Sequence, residues 1–260
     1  MPLERQLLDY PITPSTLDRI DVMTSLPEAS SFDPEKNWAH TYLVWTNHGY
    51  DKGNIDAGYL TIERQPISGG GVSLNVVTEI ALLEGIGART ASRIACLSDA
   101  LTTPVTWELD STFTGPSGED LPNQDTHQKS RIAEKRMTVY IDGRSSVTPI
   151  QEMTTGDWCL FDAVQRLPQD QSTHYDFDVL ERMMVIKRDQ TLWFSDRTDK
   201  AAGHNLRCFV RKGAAQLPTE YWLDEQNRLV LVVAYNMVYL LSDTAVETFK
   251  NKLAQQRDKA

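Results

Sequence analysis

The sequence predicts an α+β domain dominated by antiparallel β-structure: a strongly curved sheet or incomplete barrel with two or three helices packed on it. Long runs alternate apolar and polar residues with period two, the signature of half-buried strands. Turn-forming residues separate those runs. A single apolar run at helical spacing interrupts them near the middle of the chain. About ten strands are expected, near the upper range for an open sheet, and strong twist should close it partway.

In chain order, Pro11, Pro14, Pro27 and Pro34 punctuate the first forty residues. Ser15 to Leu26 reads as a short helix with Leu17, Ile20 and Met23 on one face. Residues 1–40 are therefore expected to form an arm over a single sheet domain spanning 41–260. Period two begins at Thr41, and Leu60 and Ile62 mark a short strand. Val72, Leu74, Val76, Thr78, Ile80 and Leu82 alternate with polar or small residues, and Ala88 to Leu97 continues the pattern. Val105, Trp107, Leu109 and Phe113 form another face, as do Met137, Val139 and Ile141. Gly69-Gly70-Gly71, Gly115-Pro116-Ser117-Gly118 and Asp142-Gly143-Arg144 supply turns. Gly115 to Lys129 is polar and reads as an exposed loop.

After Thr154-Thr155-Gly156-Asp157, the residues Trp158, Leu160, Phe161 and Val164 fall on a helical face that Pro168 ends. Strands resume at Met183 to Ile186, Thr191 to Phe194, Leu206 to Val210 and Tyr221 to Leu223. Glu225-Gln226-Asn227-Arg228 reads as a hairpin turn into one long apolar strand, Leu229 to Leu241, covered on both faces. A terminal helix follows, with Val246, Phe249 and Leu253 inward.

With 260 residues, 40% of them hydrophobic, the chain can build a core without disulfides or metal. A net charge of −10 argues against nucleic acid and anionic lipid surfaces as partners. No run reaches the roughly 18–20 apolar residues of a membrane span. Cys96, Cys159 and Cys208 sit among apolar neighbours with no CxxC spacing and read as buried thiols. The five histidines His40, His48, His127, His174 and His204 are dispersed, so neither a metal nor a cofactor is expected. Nucleophile elbows and phosphate-binding glycine loops are missing; the triple glycine precedes a strand rather than a helix.

The tryptophans Trp38, Trp45, Trp107, Trp158, Trp193 and Trp222 are spread over nearly every element. Rigid indoles on a curved sheet can line an apolar pocket or stack on sugar rings. The leading expectation is non-catalytic binding of an apolar or amphipathic ligand in the concave pocket. Trp107, Trp193, Tyr221 and Trp222 are its expected walls, and Arg207 or Arg211 its partner for an anionic headgroup. A carbohydrate-active enzyme (a lyase or glycoside hydrolase) is the rival, with His48-Gly49-Tyr50-Asp51 as a loop able to supply acid and base. A protein-interaction module presenting a sheet edge or acidic loops is the third reading.

The run Trp158-Cys159-Leu160-Phe161-Asp162-Ala163-Val164-Gln165-Arg166-Leu167-Pro168 resembles the short helix opening the second half of certain bacterial extracytoplasmic β-proteins. Leu217 to Leu229, with its proline, aromatic strand, acidic turn and arginine, resembles their ending. These are the lipoprotein-carrier (LolA/LolB-like) proteins and the DUF3108-like domains of unknown function. The resemblance covers 155–241 and, more loosely, 57–142. It implies an incomplete antiparallel barrel with helices plugging its concave side, and it transfers no catalytic motif. The sequence shows no export signal or lipobox. A periplasmic or extracellular location is expected if a signal has been removed, and a cytoplasmic one otherwise.

Overall fold

Fifteen strands hydrogen-bond into one sheet in the computed structural model, which describes residues 12–17, 26–27, 31–47, 54–81, 86–201, 203–214, 216–234 and 237–257. The strands are β1 (Trp38–Asn47), β2 (Asn54–Ile67), β3 (Gly71–Ala81), β4 (Gly87–Leu97) and β5 (Pro104–Thr114). They continue with β6 (Thr126–Ala133), β7 (Arg136–Ile141), β8 (Arg144–Pro149), β9 (Thr154–Gly156) and β10 (His174–Glu181). The last are β11 (Val185–Ala201), β12 (His204–Gly213), β13 (Thr219–Leu223), β14 (Leu229–Ala234) and β15 (Met237–Leu241). Among the described residues three α-helices accompany them: α1 (Pro14–Leu17), α2 (Asp157–Arg166) and α3 (Ala245–Arg257). The order β8-β7-β6-β5-β4-β3-β2-β1-β15-β14-β13-β12-β11-β10-β9 is two meanders joined at β1, and every pair is antiparallel except β9–β10.

Register assigns the faces, because directly opposed residues share one. Tyr42 opposes Leu60, Leu60 opposes Thr78, and Val72 opposes Cys96. Trp107 opposes Ile94, while Tyr221 opposes Phe209 and Val232. These residues line the concave face. Leu43 opposes Tyr59 and Leu240 on the convex face, where Phe249 of α3 meets Tyr59 edge-on. The central strands are thus buried on both faces, which is why Leu229 to Leu241 reads as continuously apolar.

Helix α2 fills the concavity. Its residues 158–165 are all buried, so a helix carrying Asp162 and Gln165 is enclosed on every side. Gln165 resolves its own polarity by donating to Phe161 O and accepting from Leu229 N at 2.9 Å. Asp162 Oδ2 accepts from Arg166 Nε (3.0 Å) and Thr102 Oγ1 (2.6 Å). Its Oδ1 lies 2.7 Å from Arg64 Nε as an ion pair off the hydrogen-bond line. Arg64, on β2, is itself buried and donates Nη1 to the carbonyls of Glu35 and Lys36.

The β10–β11 turn completes the filling. Arg182 and Met183 both take positive φ (49° and 58°), and Met183 is fully buried. Its carbonyl accepts from Trp107 Nε1 and Gln128 Nε2, each at 3.2 Å, so the turn reaches β5 and β6 across the bowl. Gly156 must lack a side chain there, since a Cβ would stand 2.5 Å from Met183 Sδ and 3.0 Å from Cys159 Sγ.

The fold class stands as expected, and the count of ten strands is corrected to fifteen. Part of the expected loop at Gly115 to Lys129 is β6, whose inward Gln128 and Ser130 are polar and hydrogen-bonded to each other. Leu229 to Leu241 is a hairpin of two strands, with Ala234 opposite Met237. Of Met183 to Ile186, the first two residues lie in a turn and Val185 and Ile186 open the long β11, to which Thr191 to Phe194 also belongs. Strand β1 starts at Trp38, so the last residues of the expected arm are sheet. Of the expected arm helix, residues 15–17 fall in α1, which lies against β11, and Leu26 is not helical; Ile20, Met23 and Leu82 fall outside the described residues.

Removing the Asp162 carboxylate leaves the Arg64 and Arg166 guanidiniums in the interior with only the exposed Glu35 carboxylate between them. Asp162→Ala is expected to lower the urea-unfolding free energy by about 3–5 kcal/mol, measured at neutral pH.

Candidate functional site

The structure does not bring the six expected pocket residues onto one wall. Trp107 and Tyr221 face the concavity, buried, with Tyr221 edge-on to Phe161 of α2. Trp222 faces the other way, donating to Glu220 Oε2, with Arg197 over its ring at 5.2 Å. Trp193 shares that convex side, opposite Val210, and stacks on His174 at 6.2 Å. Arg207 is consumed by Gln169, the Asp224 carbonyl and Asn227. Arg211 donates to Thr219 Oγ1, and its Nη1 is buried without a partner. The loop His48-Gly49-Tyr50-Asp51 lies outside the described residues.

A cavity of about 260 Å³ lies instead at the rim, where Pro27 and Phe32 meet the start of β1 and the turn before β14. Trp38 and His40, two apart on β1, point the same way and stack at 4.7 Å. Phe32 covers the imidazole at 5.2 Å. Tyr42, next on this face, donates to Leu229 O and lies 3.4 Å from His40 Nδ1. Leu241 and Asp243 also border the space, Asp243 being exposed.

Arg228 supplies the charge. The turn that carries it is organised by Asp224, whose Oδ1 accepts from the backbone N–H of Gln226 and Arg228. Asp224 Oδ2 takes Arg228 Nε at 2.9 Å, and Arg228 Nη1 donates to Pro27 O at 2.5 Å. The guanidinium is therefore clamped and 4% exposed, yet its Nη2 has no partner. Trp38 Nε1 is likewise buried and unpartnered. Two buried, unsatisfied donors on residues that line one cavity are unusual, because most buried polar groups in native proteins are hydrogen-bonded. Burial, reinforced by the Arg228 cation, lowers the His40 pKa to about 3, so the ring is neutral at physiological pH.

Sequence reasoning counted Trp38 only as one of six indoles, His40 as a dispersed histidine and Arg228 as a turn residue. The available signals were the spacing of Trp38, His40 and Tyr42 on one strand face and an acidic residue four before Arg228 in a turn. Among the described residues no group of three or more His, Cys, Asp or Glu could hold a metal ion. None of the described helices is long and apolar enough to cross a membrane.

No family model matches the sequence, and no curated protein matches it. Among solved structures, the chain is similar to a β-barrel-like protein of the domain of unknown function DUF1849 from Brucella abortus. The TM-score is 0.52 at 8% identity, covering 80% of this chain and 96% of that one. This likeness is one of fold, and it agrees with the curved, barrel-like sheet that the sequence resemblance implies.

His40 also sets a pH dependence. A histidine with its folded pKa below 6.5 contributes stability that is fully present above pH 6.5 and is lost as pH falls toward 3. Across that window its share should fall by about 1.4 kcal/mol per pH unit in urea melts, and His40→Gln should remove this share of the slope.

Proposed function

We propose that the protein binds, without chemistry, a small amphipathic molecule whose anionic end enters the rim cavity. The observation that carries this reading is the pair of buried, unpartnered donors, Trp38 Nε1 and Arg228 Nη2, on residues lining a partly aromatic cavity. An unsatisfied buried donor costs roughly 1–3 kcal/mol, which an acceptor on a ligand recovers. A carboxylate offers two acceptor oxygens, and charge-assisted bonds from guanidinium are among the stronger hydrogen bonds. The Arg228 cation opposes a positively charged head. Phe32, Pro27 and Leu241 supply the apolar side, and the volume of about 260 Å³ favours a ligand smaller than the usual drug-sized occupant. The barrel-like fold is compatible with a binding role, and the resemblance to carriers of lipid-bearing cargo points the same way.

Hexanoate, hexanol and hexylamine form a matched probe set for calorimetric titration at neutral pH. Hexanoate is expected to bind most tightly and hexylamine least. Trp38→Phe keeps the ring but removes the donor and should weaken hexanoate about tenfold, as for one hydrogen bond to a charged group. Arg228→Lys should weaken it by at least as much, whereas Trp193→Ala on the convex face should leave it unchanged. Equal affinity for the three probes, or loss of binding with Trp193→Ala alone, would overturn the assignment.

A further inference from the structure

Cys96 and Cys159 place their sulfurs 3.9 Å apart although 63 residues separate them in sequence. Cys96 stands on the concave face of β4, opposite Val72, and Cys159 lies in the first turn of α2. Both are buried and both are free thiols. Nothing in the binding reading uses them. They span the contact between the central helix and the sheet, on which the filled concavity depends.

From this juxtaposition we infer that Cys96 and Cys159 form an oxidisable pair whose disulfide fastens α2 to β4. A bonded pair has an S–S distance of about 2.05 Å, so the sulfurs must approach by roughly 2 Å for the bond to form. The neighbouring thiol and burial both raise the Cys96 pKa, which keeps that thiol protonated in the folded state. Reaction therefore proceeds through transient opening or during folding, when a thiolate can form.

The oxidant is a low-molecular-weight disulfide, oxidised glutathione in the test. One cysteine loses its proton and attacks a glutathione sulfur, displacing one glutathione thiolate and giving a mixed disulfide. The second cysteine then loses its proton, attacks the protein sulfur of that mixed disulfide and displaces the other glutathione thiolate. The two released thiolates take up the two protons. The protein pair is oxidised by two electrons, and one glutathione disulfide is reduced to two thiols.

Cys208 provides an internal control, since it opposes Trp222 on the convex face, with the sheet between it and the pair. The full chain is unfolded in urea, refolded in a glutathione redox buffer, quenched with acid, alkylated and mapped by mass spectrometry. Refolding removes access to buried thiols as a limit on the outcome. The expected result is a Cys96–Cys159 cross-link, a mass lower by about 2 Da and one alkylatable cysteine, Cys208. The melting temperature should rise by roughly 10 °C over the reduced chain. Cys208→Ser should leave the cross-link intact, and Cys159→Ser should abolish it. Three alkylatable cysteines after refolding, pairing of Cys208 as often as the others, or a melting temperature lowered by the link would each overturn the inference.

Discussion

The carboxylate of Asp162, on a helix enclosed on every side, lies between two guanidiniums: Arg64 from the sheet and Arg166 from the next helical turn. Each arginine also donates to backbone carbonyls, besides side-chain contacts to Glu35 and Thr102. Arg64 takes Glu35 and Lys36 in the segment before β1, and Arg166 takes Asp99 in the turn before β5. One buried charge thus ties together the helix, the sheet, the approach to β1 and a distant turn. Such clusters are not automatically stabilising relative to an apolar core, because desolvation offsets much of the Coulombic gain. What they fix is arrangement: any other placement of α2 strands a charge in the interior.

The location of the rim cavity follows from that placement. A curved sheet of fifteen strands would enclose a ligand space if empty, but α2 and the Met183 turn occupy it. The cavity and two of the unsatisfied donors belong to residues at the edge, where Trp38 and His40 share the face of β1 with Tyr42. A second buried acid–base pair, Asp224 with Arg228, holds that edge rigid. The clamp fixes two nitrogens of the guanidinium and leaves the third without a partner. Rigidity of this kind would reduce the ordering cost of the binding proposed above.

Much of the architecture was legible because it rests on local patterns. The alternation in β3, β4 and β5 is apolar inward and polar outward, and the helix beginning at Asp157 is bounded by a proline. The pattern failed where the inward residues are polar. Gln128 and Ser130 disguise β6, and the apolar stretch from Leu229 to Leu241 hides a reversal because both faces of β14 and β15 are buried. The aromatic positions were found, yet their faces were not, since Tyr221 and Trp222 are adjacent and must point opposite ways. The rim site was illegible for a different reason. Its members come from three segments, Phe32 before β1, Trp38 and His40 on β1 and Arg228 in the turn before β14, and an unpaired nitrogen is visible only once every neighbour has been placed.

A crystal structure with 6-bromohexanoate, located by the anomalous signal of its bromine, tests the central claim most directly. The account predicts the carboxylate at Arg228 and Trp38 and the bromine among Phe32, Pro27 and Leu241, with α2 unmoved. Bromine inside the concavity beside Trp107 or Tyr221, with α2 displaced from Asp162's partners, would contradict it.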